Sequence, residues 1–381
     1  MASYAFLATM FGTTLPTPLY PLYQHQFALA ELTITIIYAV YAAGVIAALI
    51  LVGRWSDQLG RRRMVFAGLA FSAASAIVFL SDGGLALLLL GRVLSGISAG
   101  IVTGTATVMI VELAPEERRG RATLIATAVN MGGLGLGPLI TGLLAQYAPL
   151  PMRLCFLLDL LLLVGAATGV WYIPETVVVA PRPELGPQRL SLPPQVRGVF
   201  VPAAIAGFAG FAVMGLFTAV APAFLGKILG LPNLALTGFV VFLVFAASTI
   251  GQLALELVPR RWALPLGCLV LAAGALLVGS GIGTRSLALL IAGAVISGFG
   301  QGLSFRAGMA AITGASPEER RGEIASTFFV VLYVAISIPV IGVGVAAVSI
   351  GLRDAGVAFA IAVVLLSLIA LAALMFRRKR D

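Results

Sequence analysis

Long apolar segments recur along the whole chain, and short polar segments separate them. Residues 34–52 are one example and contain no charged side chain. Segments of about 20 apolar residues are long enough to cross a bilayer as helices. Inside hydrocarbon each segment must satisfy its own backbone hydrogen bonds, which favours helices, and the short alternating segments typical of a β-barrel are absent from the sequence. The pattern predicts an all-α membrane protein with 12 transmembrane helices.

The longest connection between two apolar segments is rich in proline and lies in the middle of the chain. It predicts an N-terminal six-helix lobe at residues 1–173, a cytoplasmic linker at 174–198 and a C-terminal six-helix lobe at 199–381. The second lobe would end in a basic cytoplasmic tail.

The two halves share a repeated sequence. Gly91-Arg-Val-Leu-Ser-Gly96 and Pro115-Glu-Glu-Arg-Arg-Gly120 recur 202 residues later as Gly293-Ala-Val-Ile-Ser-Gly298 and Pro317-Glu-Glu-Arg-Arg-Gly322. Six spans per half return the chain to the side from which it entered. The repeat therefore predicts two pseudo-symmetric lobes related by an axis along the membrane normal.

Composition and charge narrow the class of protein. The chain is 60% hydrophobic and 10% charged, whereas a soluble domain carries about 25% charged residues. The net charge of +9 does not indicate nucleic-acid binding, because 18 of the 24 basic residues lie at alternate junctions and four lie at the others. This distribution predicts a multi-pass protein of the plasma membrane, in a bacterium the inner membrane, with cytoplasmic N- and C-termini.

Several kinds of chemistry have no motif in the sequence. It contains no phosphate-binding GxxxxGK[ST] loop, no cluster of residues at metal-ligand spacing and no nucleophile with a neighbouring base. We therefore expect neither an enzyme nor an ATP-driven pump, and no metal or cofactor.

The loop after the second span carries a glycine and charge pattern. It contains Gly53, Asp57, Gly60, Arg61 and Arg62. With 12 spans and duplicated halves, this loop resembles the first cytoplasmic motif of the major facilitator superfamily. The resemblance covers essentially the whole chain and implies two lobes around a central cavity. It also implies that these five residues form a cytoplasmic gate, in which glycines permit a tight turn, Asp57 caps a helix and the arginines pair with acids.

Two charged residues lie within predicted spans, at nearly the same depth. Arg92 is in span four and Asp159 in span six. Charges inside a membrane are costly and mark functional sites. The family resemblance implies that an arginine at the position of Arg92 serves proton coupling and substrate passage. We expect Arg92 and Asp159 to approach each other, directly or through water, and Asp159 to carry a proton.

Two further segments resemble the efflux branch of this family, the drug:proton antiporters. Span five contains a glycine-rich run from Asn130 to Pro138. Span one ends with Pro16, Pro18 and Pro21, and these three prolines predict a break of the helix near its outer end. Span ten lines the cavity in this family. The predicted cavity residues are Tyr20, Tyr23, Asn130, Phe211, Gln301 and Arg306.

The sequence thus predicts a secondary transporter that exports a small, partly apolar compound in exchange for protons. Its partners would be the substrate, protons and the lipid bilayer, without nucleic acid, and it would act as a monomer. Uptake of a sugar or organic acid by a symporter or uniporter of the same fold is one alternative. A membrane sensor or scaffold that transports nothing is another.

Overall fold

The computed structural model describes residues 1–81, 83–179, 181, 183 and 185–378, without the side chains of residues 377 and 378. Three of the 18 basic residues on the predicted cytoplasmic side lie outside the described residues, namely Arg182, Lys379 and Arg380. The described part of the chain consists of helices joined by turns and short irregular connections, so the all-α prediction is confirmed.

The helices follow one another along the chain with few long connections. In order they are α1 (Ala2–Thr14), α2 (Tyr20–Phe27), α3 (Glu31–Val52), α4 (Trp55–Leu59), α5 (Arg61–Leu80), α6 (Gly84–Glu112), α7 (Arg119–Tyr147), α8 (Leu154–Trp171), α9 (Pro194–Ala219), α10 (Ala221–Ala223), α11 (Leu234–Leu253), α12 (Arg260–Thr284), α13 (Leu287–Ala315), α14 (Arg321–Ile350) and α15 (Leu352–Arg378).

The first predicted span, residues 3–23, is interrupted in the structure. It consists of α1, a 3₁₀ turn at Thr17–Leu19 and α2. Pro16, Pro18 and Pro21 account for the interruption, because proline has no N–H group to donate to a helix and its ring clashes with the preceding turn.

In the described part of the chain, 11 helical segments are long and apolar enough to span a membrane. They correspond to the other 11 predicted spans. Many of their large apolar side chains are exposed, including Leu161 at 68% and Val348 at 75%. Such faces are unfavourable in water, so their exposure fits the predicted contact with lipid.

The helices form two compact units. Unit 1 contains Met1–Ala28, Val40–Arg189 and Leu234–Gly238. Unit 2 contains Leu29–Ala39, Leu190–Asn233 and the chain from Phe239 onward. Helices α3 and α11 are each divided between the units, near Ala39 and Gly238.

Glycines let the helices of unit 1 approach each other closely. The first helix, α1, packs against α6, α7 and α8. A Cβ atom built on Gly133 of α7 would lie 2.6 Å from the carbonyl oxygen of Leu7, and one on Gly137 would lie 2.5 Å from that of Phe11. Any side chain at these positions would push α7 away from α1. Gly133 and Gly137, two glycines of the predicted antiporter segment, therefore set the spacing of these two helices.

The repeated glycines have the same structural role in both units. In unit 1, a Cβ on Gly100 of α6 would meet the carbonyl oxygen of Val45 in α3 at 2.9 Å. In unit 2, the corresponding Gly302 of α13 lies directly against the backbone of Ser248 in α11. The repeated acidic and basic segments also match, since each forms a 3₁₀ turn, at Glu116–Arg118 and Glu318–Arg320, immediately before a long helix. The sequence repeat is thus a structural repeat.

Unit 2 has its own apolar core. Aromatic and branched side chains of α9, α13 and α14 fill it, and the rings of Phe200 and Phe328 meet edge to face with centroids 6.0 Å apart. This packing fixes the helices that carry the polar residues of unit 2.

Candidate functional site

Arg92 is buried in unit 1 and joins the two sides of the interruption in the first span. Its side chain is 1% exposed. Nη1 donates a hydrogen bond to the carbonyl oxygen of Thr13 at 2.7 Å, and Nη2 donates to the hydroxyl of Tyr20. The guanidinium carbon also lies 5.5 Å from the centroid of the Tyr20 ring, within the range of a cation–π contact. Arg92 therefore holds the end of α1 and the start of α2 together.

Asp159 of α8 is also buried in unit 1, and it lies against Gly12 of α1. The residue is 2% exposed. A Cβ built on Gly12 would be 2.8 Å from Oδ2 and 3.0 Å from Oδ1 of Asp159. Among the described residues, Oδ1 has no hydrogen-bond partner. The carboxyl group can occupy this place only because position 12 has no side chain.

The predicted direct approach of Arg92 and Asp159 does not occur among the described residues. Arg92 binds Thr13 and Tyr20, whereas Asp159 lies against Gly12. The physical reason is that α1 packs against both α6 and α8 and offers a free carbonyl group to Arg92. The two charged residues therefore contact consecutive residues of one helix.

The predicted cytoplasmic gate centres on Arg61, whose side chain is 9% exposed. Its guanidinium pairs with Asp57 Oδ1 at 2.5 Å and with Glu112 Oε1 at 3.2 Å. Nε also donates to Glu112 Oε2 at 3.3 Å, and Nη1 donates to Ser56 Oγ at 2.6 Å. The loop after α3 and the end of α6 are thus joined through one guanidinium group.

Glu175 and Thr176 also belong to this cluster, and sequence reasoning missed both. Glu175 Oε1 accepts a hydrogen bond from the backbone N–H of Arg61 at 2.7 Å, and Oε2 accepts from that of Arg62 at 3.2 Å. Thr176 Oγ1 donates to Glu112 Oε2 at 2.6 Å. The only signal was a Pro-Glu-Thr segment directly after span six, where an acid can reach the basic loop. Glu175, an acid from a distant part of the chain, thus binds the first N–H groups of α5, while Asp57 pairs with Arg61.

The two glycines of the motif lie at the ends of α3 and α4. Gly60 has φ of +104°, a backbone conformation that favours glycine, and it is packed against the Glu175 carboxylate. Gly53 follows the last residue of α3, and a Cβ there would lie 2.5 Å from the carbonyl oxygen of Leu49. Arg62 adds a hydrogen bond from Nη1 to the carbonyl oxygen of Ile173 at 3.3 Å. Asp57, Gly60, Arg61 and Arg62 therefore lie in one cluster, and Gly53 lies before it, at the end of α3.

The predicted cavity residues of unit 1 are Tyr20, Tyr23 and Asn130. Tyr20 is bound to Arg92, and Tyr23 is buried with its ring stacked on Phe27 at 6.3 Å between centroids. Asn130 is partly buried, and its Oδ1 has no hydrogen-bond partner among the described residues. Their contact with a substrate stays a prediction.

The predicted cavity residues of unit 2 are Phe211, Gln301 and Arg306. The ring of Phe211 lies 5.4 Å from that of Phe305, within the apolar packing of the unit. Gln301 is 1% exposed and accepts a hydrogen bond from Ser248 Oγ at 2.6 Å, while its Nε2 has no partner among the described residues. The role of these residues towards a substrate also stays a prediction.

Arg306 of α13 binds the end of α11. Nη1 donates to the carbonyl oxygen of Gln252 at 2.7 Å, and Nη2 lies 3.3 Å from Glu256 Oε1. A cation at the C-terminal end of a helix is favourable because the last carbonyl groups carry partial negative charge. In unit 2 the arginine, Arg306, lies on α13 and its acid follows α11. In unit 1 the positions are reversed, since the acid, Glu112, lies on α6 and the arginine follows α3.

A further ion pair lies in unit 2. Lys227, in the π-helical turn Phe224–Ile228, pairs with Glu31 at the start of α3. This pair was not expected from the sequence, because 196 residues separate its members.

Comparison with protein families gives one match that covers most of the chain. The sequence profile described as Major Facilitator Superfamily matches residues 2–257. Among curated proteins, the chain is 24% identical to multidrug resistance protein 2 of Bacillus subtilis (strain 168) over 175 residues, which are 46% of this chain and 43% of that protein. It is 27% identical to quinolone resistance protein NorA of Staphylococcus aureus (strain Mu50 / ATCC 700699) over 135 residues, which are 35% of each. The matched region is therefore less than half the length of either relative.

Solved structures resemble this one over nearly its whole length. The human organic anion transporter MFSD10 (TETRAN) aligns with a TM-score of 0.68 and 17% identity over 97% of both chains. A bacterial homologue of the human lysosomal transporter Spinster, in an inward-facing and unoccupied conformation, aligns with a TM-score of 0.71 and 16% identity over 98% of this chain and 95% of the other. At such identities the likeness shows the fold, and it is the fold predicted from the sequence.

Proposed function

The chain belongs to the major facilitator superfamily, and from this premise we propose that it exports a small, partly apolar compound in exchange for protons. The similarity of part of the chain to proteins named for multidrug and quinolone resistance supports export over uptake. We further propose that it acts by rocker-switch alternating access, as a monomer in the plasma membrane with cytoplasmic termini.

The burial of Asp159 is the observation that supports the proposed proton coupling. Asp159 is buried in unit 1 against Gly12 of α1, and among the described residues no cation is bound to it. The buried Arg92 contacts Thr13, the next residue of α1. A carboxyl group in such a place is tolerated when it is neutral and is costly when it is ionised. Asp159 can therefore take up a proton when water reaches it from one side and release the proton on the other.

The cluster around Arg61 supports a gate in the proposed cycle. Arg61 and Glu112 are joined by two hydrogen bonds, and Glu175 holds the start of α5 in place. Such contacts stabilise one arrangement of the cytoplasmic helix ends and must change when the site opens to the cytoplasm. Glu112 is therefore proposed as a gate residue with Gly53, Asp57, Gly60, Arg61 and Arg62.

The charge inside the spans favours a neutral or anionic substrate. Two arginines, Arg92 and Arg306, lie within predicted spans, whereas Asp159 is the one clear acid there. A neutral or anionic compound would not compete with protons for Asp159, and an arginine can bind an anionic group directly.

The test measures substrate-dependent proton release from inverted membrane vesicles with an acidic interior, using a pH-sensitive dye. Quinolones, lipophilic dyes, sugars and organic acids are added one at a time to vesicles with the parent chain. We expect at least one apolar compound to draw protons out of the vesicles. Asp159→Asn should abolish this release while expression stays normal, because the amide has the size of the carboxyl group but cannot exchange a proton.

Two variants control this experiment. Asp354→Asn removes the charge of an exposed acid at the start of α15 and should behave as the parent. Asp159→Glu keeps a carboxyl group and should retain part of the release. If Asp159→Asn releases protons like the parent, Asp159 is not the proton carrier. If labelled compounds enter intact cells with the proton gradient, the chain is an uptake transporter.

A further inference from the structure

The carbonyl oxygen of Thr13 is available to Arg92 because the first span is interrupted. In an unbroken helix this oxygen would accept from the N–H group of Thr17, four residues later, but α1 ends at Thr14 and a 3₁₀ turn begins at Thr17. Pro16, three residues later, has no N–H group that could take its place. Arg92 supplies the missing donor at 2.7 Å. It also carries positive charge to the C-terminal end of α1, where the helix dipole is negative. The arginine thus takes the place of a helix hydrogen bond that is lost where α1 ends.

Both charged residues at this point keep a hydrogen-bonding atom without a partner. Nε of Arg92 and Oδ1 of Asp159 are buried and have no partner among the described residues. Buried groups of this kind are rare in folded proteins, because leaving them unpaired is costly. One atom is a donor and the other an acceptor. Their side chains contact Thr13 and Gly12, which are adjacent in sequence.

We propose that Gly12 and Tyr20 are positioning residues that let Asp159 and Arg92 exchange partners at the interruption of the first span. This inference rests on the proposed proton coupling and specifies how the proton acts. With the proton on Asp159, Arg92 binds Thr13 and Tyr20 as observed, and the interruption is closed. Without the proton, the carboxylate attracts Arg92 away from these two partners, and α1 and α2 become free to change their relative angle.

The absence of a side chain at position 12 is central to this exchange. A methyl group on Gly12 would lie 2.8 Å from Oδ2 of Asp159, and a carbon atom cannot approach a carboxylate oxygen so closely without displacing it. An ionised carboxylate is also unfavourable beside the negative end of the α1 dipole. Ionisation therefore favours an approach of the carboxylate and Arg92, and only glycine leaves room for the carboxyl group in its observed place before that approach.

Few other ionisable groups compete with Arg92 for Asp159. Cys155 lies one turn earlier on α8, and Tyr4 of α1 donates its hydroxyl to the carbonyl oxygen of Leu162, one turn later. The remaining helices packed against α8 are α5 and α7, which carry ionisable residues only in their terminal turns. These residues are Arg61, Arg62, Arg63, Arg119, Arg121 and Tyr147.

The first test compares Gly12→Ala with Gly104→Ala and Gly132→Ala. A Cβ at either control position has no heavy atom within 4 Å, so these variants add the same methyl group without a contact. In the vesicle assay, Gly12→Ala should reduce proton release by about tenfold or more, because a small displacement of a reacting group has effects of this size. The binding measurement uses, in labelled form, the compound that drew protons out of the parent vesicles. Its affinity should stay within about twofold of the parent, since Gly12 is not proposed to touch it. The controls should match the parent.

A second test shows whether the methyl group acts through the carboxyl group. In the parent, Gly12→Ala should lower the midpoint of thermal unfolding, because the added methyl group meets the carboxyl group of Asp159. In the Asp159→Ala background that space is open, so Gly12→Ala should leave the midpoint unchanged. Equal losses in both backgrounds would overturn the proposed contact. Tyr20→Phe provides an independent check, because it removes the hydroxyl that binds Arg92 and keeps the ring. It should shift the pH at which proton release is half-maximal, and an unchanged pH profile would exclude a positioning role for Tyr20.

The failure of this inference can be separated from that of the proposed function. If Asp159→Asn is uncoupled while Gly12→Ala keeps the parent pH profile and rate, Asp159 carries the proton without the exchange of partners. If Asp159→Asn itself remains coupled, the proton carrier is another residue and both proposals fail.

Discussion

Arg61 has the most partners within the cluster of the predicted gate. Its guanidinium contacts Ser56, Asp57 and Glu112 while only 9% of the side chain is exposed. A planar group with several fixed donors suits this geometry better than an ammonium group does. The residue therefore contributes through its shape as well as through its charge.

We expect Arg61→Ala to destabilise the protein by roughly 2 kcal/mol, since it removes hydrogen bonds to charged groups and leaves Glu112 without its cation. Arg61→Lys should fall between the parent and the alanine variant. The measurement is the midpoint of thermal unfolding in detergent. Arg63→Ala, which removes an exposed arginine from the same first turn of α5, is the control and should leave the midpoint nearly unchanged. If the lysine variant equals the parent, the geometry of the guanidinium is unimportant.

At the scale of single helices, the start of α5 depends on a residue far along the chain. The first N–H groups of a helix lack partners within it, and an acid near them is favourable. Glu175, 114 residues after Arg61, accepts from two of these groups. The segment that follows α8 is thereby tied to the loop before α5.

Glu175→Ala should cost about 1 kcal/mol of stability, the usual effect of removing a helix-capping side chain. Glu175→Gln should cost less, because its amide oxygen can still accept from the N–H of Arg61. Thermal unfolding of the purified protein measures both. Glu117→Ala, at an exposed acid before α7, serves as the matched control. A loss as large in the control as in Glu175→Ala would mean that net charge, and not capping, is responsible.

Other features of the helices follow from local sequence. Prolines predicted the break in the first span, and the repeated Pro-Glu-Glu-Arg-Arg-Gly segments form the same 3₁₀ turn in both units. These features were predictable because proline geometry and short turns depend on neighbouring residues. The role of Gly12 was not predictable, since a single glycine in an apolar helix is common.

At the scale of the whole molecule, the orientation in the membrane remains a prediction from the distribution of basic residues. The two native cysteines, Cys155 and Cys268, are fully buried and should give little background with thiol reagents. Single cysteines introduced on opposite predicted sides can therefore test the orientation.

Tyr147→Cys and Leu257→Cys form a suitable pair, because both positions are exposed, at 74% and 86%. Tyr147 lies at a predicted external junction, and Leu257 lies just before the basic residues Arg260 and Arg261. A membrane-impermeant maleimide on intact cells should label Tyr147→Cys and leave Leu257→Cys unlabelled until the cells are permeabilised. The opposite pattern would show that the termini are external.

The sequence alone determined the class of structure. The length of the apolar segments predicted the helices, the prolines predicted the break, and the repeat at 202 residues predicted the paired lobes. Helices were predictable because their backbone hydrogen bonds are satisfied within each segment and need no distant partner. Tertiary structure decided which charged groups meet. Arg92 contacts Thr13 and Tyr20 instead of Asp159, and Arg61 meets Glu175, because the packing of helices selects among partners that the sequence leaves equally available. Ion pairs between distant residues depend on that packing, to which glycines such as Gly12 contribute by the side chains they lack.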